Sequence, residues 1–396
     1  METNNNRAKR NERKIMMSYA EVMESVTGEK QSVTIPRWFD RHLHIRDGEM
    51  MKTVLPCTLN QRATGAIIMP NLADPISTIE KARAYHERIQ QLLDSPIYSE
   101  GKWWGANGHP DFVPCMTLYL TDTITPEEVV RGFEESIWRA VKLYMANQKG
   151  QGGTTGSAHG VKNLLGRYPV FEAMEAHNIP LLGHFEAVEE DVDEFDREIV
   201  SVDRDLKPIL KAFPGLQVVF EHITDGRAAD FVAGTDRNIY ATVTAHHLMI
   251  NRNAMFWGGM NPGHYCKPVP KRETHRAKVR QYVTSGNRLF GAGTDSAPHD
   301  ESAKSRCYGC AAGIFTAPMA VELYTTVFDE DNALEHLGAF LSENLLGIYG
   351  MEVSSETMTI ERIVSDVPET ICGAVVGTPS VKVFRGGTKL QWKLVG

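Results

Sequence analysis

No apolar run in the chain reaches the roughly 20 residues that a membrane-spanning helix needs. Residues 1–30 also lack the apolar segment of a secretory signal. They are polar and mixed in charge, and Glu2, Glu12, Glu21, Glu24 and Glu29 argue against a transit peptide. A disordered or loosely packed extension is expected there. Cysteine is scarce, with six in 396 residues, all widely spread. That weighs against a disulfide framework and fits a reduced, cytoplasmic protein. Cys307-x-x-Cys310 has no second such pair to complete a zinc ribbon. No basic stripe with interleaved aromatics is present and the net charge is −8, so neither nucleic acid nor membrane is an expected partner. Attraction for an anionic substrate must then come from the site itself. No G-x-G-x-x-G turn follows an early strand, which weighs against an open, doubly wound sheet.

What is present is a series of short apolar runs separated by helix-like segments. The run Val33 to Phe39 leads into Arg41-His42-Leu43-His44-Ile45-Arg46 and reads as a first strand. Side chains alternate along a strand, so His42, His44 and Arg46 are expected to project together. Further strands are expected at 64–69, 112–120, 140–144, 180–184, 216–222, 239–244 and 288–295. Helices are expected between most of them, for example over 77–93, 161–177, 195–213 and 272–285. Thr125 and Pro126 carry the signature of a helix start. Eight strands alternating with helices predict an α/β fold, a (β/α)8 barrel of the TIM type. The barrel is expected over 31–350. A small C-terminal appendage with short β-like runs is expected over 351–396.

Polar residues punctuate the ends of these strands. His42 and His44 close the first, Lys142 lies in the fourth, and His184, His222 and Asp295 close the fifth, sixth and eighth. Barrel enzymes build their sites where the strand C-termini meet. Four histidines, a lysine and an aspartate are too many for one tetrahedral zinc. They suit two ions close together, clamping a bridging hydroxide. A charged lysine would repel such ions, so Lys142 must be neutral or chemically modified to serve. The residue types leave a hydrogen-bonded network without metal as the bland alternative.

Five stretches carry a resemblance to a known family. They are Asp40 to Gly48, Met69-Pro70-Asn71-Leu72, Lys142-Leu143-Tyr144, Phe220-Glu221-His222-Ile223-Thr224 and Gly293 to His299. Together the chain resembles the dihydroorotases, of the shorter-chain type within the amidohydrolase superfamily. The resemblance implies two zinc ions per subunit and a carbamylated Lys142 bridging them. His42 and His44 would hold one ion with Asp295, and His184 and His222 the other. It implies reversible cyclisation of N-carbamoyl-L-aspartate to L-dihydroorotate in pyrimidine synthesis, with Asp295 as the proton carrier. Arg46, Asn71, His299, Lys267 and Ala312 fall at the family's substrate-binding positions, with a main-chain contact expected at Lys267. The glycine-rich stretch 148–157 resembles a lid whose Thr154 and Thr155 bond the substrate. A homodimer is expected on the same ground.

Several positions depart from the usual family pattern. Arg41 stands in place of an aromatic, Phe185 in place of glycine and Lys267 in place of leucine, and the 145–157 loop is long. Three rival readings remain within reach of the sequence. The first is another cyclic-amide hydrolase, such as a hydantoinase or allantoinase, the second a non-catalytic barrel, and the third a metal-free (β/α)8 enzyme. Arg46, Asn71 and His299 suit a substrate carboxylate and weigh against the first. The complete set of candidate ligands weighs against the second.

Overall fold

A computed structural model describes residues 31–95, 111–147, 157–306, 308–373 and 377–396. The expected N-terminal extension, Cys307, and the lid stretch with Thr154 and Thr155 lie outside the described residues. The described chain enters through β1 (Ser32–Pro36) and then builds eight parallel strands in chain order. These are β2 (Asp40–Leu43), β3 (Gly65–Ile68), β4 (Val113–Tyr119), β5 (Ala140–Tyr144), β6 (Leu181–His184), β7 (Val218–Phe220), β8 (Ile239–Val243) and β9 (Phe290–Ala292). A parallel bridge from Leu43 to Ser296 carries the last strand back to the first, closing the barrel.

Helices follow the strands on the outside. They are α1 (Gly48–Asn60), α2 (Ile79–Leu93), α3 (Pro126–Glu134), α4 (Tyr168–Ala176), α5 (Arg197–Ser201), α6 (Lys207–Ala212), α7 (Gly226–Gly234), α8 (Ala245–Met249), α9 (Glu273–Thr284), α10 (Glu301–Lys304) and α11 (Ala320–Glu330). Their starts are written locally. Thr78, Thr125 and Asp225 each accept a bond from a first-turn N–H, and Pro126 occupies the first turn of α3 as expected. No helix among the described residues is long and apolar enough to cross a membrane.

Strand residues are buried on both faces, which explains their near-continuous apolar runs. One face joins the helices in the main core, through Ile68, Val141, Leu181 and Val218. The other contributes Ile67, Cys115, Ala140, Leu182 and Val219 to a smaller cluster that fills the barrel interior with Leu345, Leu346 and Tyr349. Alternation from Ala140, Leu182 and Val219 then sends Lys142, His184 and Glu221 to the interior face. The interior is apolar early along the strands and polar at their ends.

One expectation needs correction, and one helix is added to those expected. The run 33–39 is not one barrel strand. Residues 32–36 pair antiparallel with β10 (Thr357–Glu361), which also pairs with the C-terminal strand Lys393–Leu394. The barrel strand starts only at Asp40, after buried Trp38 and Phe39. A continuous apolar pattern does not mark where a strand changes partners. The start of the expected barrel therefore shares a sheet with the expected appendage. Helix α1, with Pro56 in its interior, is not among the expected helices.

The closing seam is a buried hydrogen-bond clasp. Asp40 accepts from the His42 N–H (3.1 Å), the Thr294 N–H (2.9 Å) and the Thr294 hydroxyl (2.6 Å). Removing the carboxylate would orphan buried donors, at about 1–3 kcal/mol each. Asp40→Ala is expected to lower the unfolding free energy of the metal-free protein by about 2–4 kcal/mol. Denaturant unfolding checks this, and a loss below about 0.5 kcal/mol, typical of a surface change, would contradict it.

Candidate active site

The expected ligands meet at the C-terminal mouth of the barrel. His42 lies in β2 and His44 just past its end, while Asp295 follows β9. Asp295 Oδ1 lies 3.0 Å from His44 Nε2 and 3.4 Å from His42 Nε2. The ligand atoms of these three buried residues lie within 4.8 Å of one another, close enough to share one ion. His184 and His222 form a second pair, with Nδ1 of the first 3.1 Å from Nε2 of the second. The ring centroids of His42 and His222 are 5.0 Å apart, so the two groups adjoin. Lys142 Nζ sits 5.1 Å from the Tyr144 ring centroid, wholly buried.

Two carboxylates outside this set fix the imidazoles. Glu221 Oε2 is 2.5 Å from His42 Nδ1 and also accepts from the Thr242 hydroxyl (2.7 Å). Glu186 Oε2 is 2.8 Å from His184 Nε2. Each carboxylate holds a proton on the ring nitrogen it faces. His42 Nε2 and His184 Nδ1 are thereby left as lone-pair donors, as metal ligation requires. Sequence reasoning gave neither carboxylate a role. The available signal was an acid set into a strand-end pattern, beside His222 and two residues beyond His184.

Charge in the site follows from burial and these pairs. Burial disfavours the charged form of His42, but the carboxylates of Glu221 and Asp295 together outweigh it and raise the pKa. Burial pulls His44 down to about 3 and His222 well below its ordinary range. Burial alone would raise Asp295, yet contacts from His42 and His44 hold it well below the usual carboxylate range. Asp295 is therefore an anion at neutral pH. Burial lowers the Lys142 amine to about 8. Within this centre, the buried Lys142 Nζ, His42 Nε2 and His222 Nδ1 lack hydrogen-bond partners. Such vacant donors and acceptors are costly in a protein interior unless a further group satisfies them.

Arg46, His222 and Asp295 all adopt positive φ, at 59°, 42° and 42°. This left-handed backbone is uncommon for residues other than glycine and costs about 1–3 kcal/mol. It resolves a parity problem at His222. Alternation from Val219 turns Glu221 inward, and the turned backbone lets the next residue enter the site as well. Arg46 likewise arrives by a turn, not by the expected strand alternation. Tyr85 donates to its carbonyl at 2.5 Å and holds that turn.

Around this centre stand the expected substrate residues. A small cavity is walled by His44, Arg46, Asn71, Lys267, Asp295 and Ala312, among others. Arg46 Nη2 lies 3.1 Å from His299 Nε2, which is 2.9 Å from the Ala312 carbonyl. Asn71 Oδ1 is buried without a partner. The Lys267 ammonium pairs with Glu194. Phe185 packs its ring against Gly183, leaving no room there for a Cβ. Lys304, which sequence reasoning passed over, staples the rim. Its ammonium donates to the carbonyls of Tyr265 (2.9 Å), Ala311 (3.0 Å) and Gly313 (2.8 Å). These flank Lys267 and Ala312.

No family model matches the chain. Its sequence is 45% identical over 367 residues to the dihydroorotase of Erythrobacter litoralis, covering 92% of this chain and 99% of that protein. Its structure superposes on the crystal structure of Saccharomyces cerevisiae dihydroorotase in complex with 5-fluoroorotic acid with a TM-score of 0.81 at 29% identity. That match covers 92% of this chain and 98% of the other. The L-hydantoinase of Arthrobacter aurescens gives a TM-score of 0.72 at 13% identity, over 93% of this chain and 84% of the other, a likeness of fold alone.

Glu221→Gln keeps the shape but removes the charge that orients His42. Metal affinity is expected to fall about 10–100-fold. Titration against a competing chelator measures it, and unchanged affinity would remove Glu221 from this role.

Proposed function

The chain belongs to the dihydroorotase family, and on that premise we propose how its own residues carry out the reaction. Its function is the family's, the reversible ring closure of N-carbamoyl-L-aspartate to L-dihydroorotate in pyrimidine synthesis. The observation that carries the proposal is the set of candidate ligands around an unpartnered, buried lysine amine.

His42, His44 and Asp295 would hold one zinc ion, and His184 and His222 a second. The donor set fits, since imidazole and carboxylate are ordinary zinc ligands and the carboxylates of Glu221 and Glu186 orient two of the rings. Lys142 as a carbamate would reach both. An amine lowered to about 8 retains an appreciable neutral fraction near neutral pH, and the neutral amine is the form that takes up carbon dioxide. Zinc, when bound, supplies Lewis acidity to the carbonyl under attack and to the attacking water.

The protein's side chains do the rest. Asp295 is ionised and stands at the centre, so it accepts a proton from the attacking water. It then returns the proton to the ring nitrogen as the amide bond breaks. In ring closure the same carboxylate takes the proton from the carbamoyl nitrogen. Arg46, with Asn71 and His299 beside it, holds the carboxylate that does not react. Main-chain groups at Lys267 and Ala312 face the ring, on a rim stapled by Lys304. Thr154 and Thr155 would complete the enclosure from the lid. The proposal extends to a homodimer in the cytoplasm, which rests on the family and the dispersed cysteines.

Zinc-loaded protein is expected to close the ring of N-carbamoyl-L-aspartate, and failure to do so would overturn the reading. Asp295→Ala should lower kcat by about 10²–10⁴-fold while substrate still binds. Near-normal turnover would refute its role as proton carrier. Arg46→Met should raise KM by about 10–100-fold, the worth of a charge-assisted bond, with metal content unchanged. An unaltered KM would remove Arg46 as the carboxylate anchor.

A further inference from the structure

A second cluster of metal-ligating side chains lies apart from this centre, and the reaction above leaves it unused. His246 and His247 sit in the first turn of α8, directly after β8, and Cys266 lies in the loop before α9. All three are buried, and their ligand atoms lie within 4.8 Å of one another. His246 is wholly buried, and neither of its ring nitrogens has a hydrogen-bond partner. A buried imidazole with both nitrogens vacant is costly, and a ligand would account for it.

The other donors already converge. His247 Nε2 lies 3.4 Å from Cys266 Sγ and 2.9 Å from the Pro268 carbonyl oxygen. Cys266 Sγ is 3.3 Å from the same oxygen. The ring centroids of His246 and His247 are 4.4 Å apart. His247 Nε2 and Cys266 Sγ thus share the Pro268 carbonyl oxygen as a hydrogen-bond partner, and the ligand atoms of all three side chains lie within 4.8 Å of one another. Zinc bonds of about 2.0–2.3 Å place neighbouring donors roughly 3.3–3.8 Å apart, so the contacts present need only small adjustments.

We propose that His246, His247 and Cys266 form a closed third metal site for zinc, with the Pro268 carbonyl as the fourth donor. Binding is coordination without electron transfer. The Cys266 thiol gives its proton to solvent and binds as thiolate. His247 carries its ring proton on Nδ1 and donates it to the Thr244 hydroxyl oxygen, 2.9 Å away, which frees Nε2 for the metal. Burial pushes the Cys266 thiol well up and the ammoniums of Lys304 and Lys271 only oppose that rise, so the thiol loses its proton as the metal binds. The consequence is mechanical. The ion would tie Cys266, and with it Lys267 on the wall of the catalytic cavity, to the end of β8.

Cobalt substitution tests this directly, because the catalytic ligand set contains no cysteine. The cobalt-loaded wild-type protein is expected to show a thiolate-to-cobalt charge-transfer band in the near ultraviolet. Both Cys266→Ser and His246→Gln should lose that band. By elemental analysis each should hold one zinc fewer than wild type after chelator washing, with ring closure of N-carbamoyl-L-aspartate reporting that the catalytic centre is still loaded. Absence of the band in wild type would overturn the proposal. So would a band that survives both substitutions, which would assign it to another cysteine. Equal zinc content in wild type and a folded His246→Gln variant would overturn it as well.

Discussion

The barrel closes through a short run of buried hydrogen bonds between β2 and the turn after β9. Asp40 grips Thr294 by backbone and hydroxyl, and the Asp295 N–H donates to the His42 carbonyl at 2.9 Å. The His44 N–H donates to the Ser296 carbonyl at 3.3 Å. These bonds close the sheet and also set the spacing of His42, His44 and Asp295. Fold and site thus share one constraint. The carboxylate of Asp295 can sit between two imidazoles only if the first and last strands are in this register.

Burial makes the remainder of the site a matter of pairing. Charges removed from water need partners, and most here have them. Glu221 faces His42, Glu186 faces His184, and Asp295 faces His42 and His44. Lys142 breaks the pattern, since its amine has no hydrogen-bond partner among carboxylates and imidazoles. A neutral amine that becomes an anionic carbamate would turn the misfit into a ligand. The strained backbone at Arg46, His222 and Asp295 belongs to the same arrangement, because it aims side chains that alternation alone would turn elsewhere.

Much of this was legible along the chain, for physical reasons that also mark the limits. Buried parallel strands leave apolar runs, so histidines at their ends stand out, and Lys142 inside such a run is conspicuous. Helix caps such as Thr125 are local and were read correctly. The misread features depend on distant partners or turned backbone. Residues 32–36 pair with 357–361, far along the chain. Helix α1 holds Pro56 in its interior. The Lys304 staple joins three carbonyls from two loops, and no local pattern announces it. His246 carried no motif at all, and its interest lies in two buried ring nitrogens without hydrogen-bond partners beside His247 and Cys266.

The most direct measurement is a crystal structure of the zinc-loaded protein, read at Lys142 Nζ. The predicted result is continuous planar density beyond the amine, reaching two ions held by His42 with His44 and by His184 with His222. A bare amine, or ions bound away from these histidines, would contradict the two-metal centre.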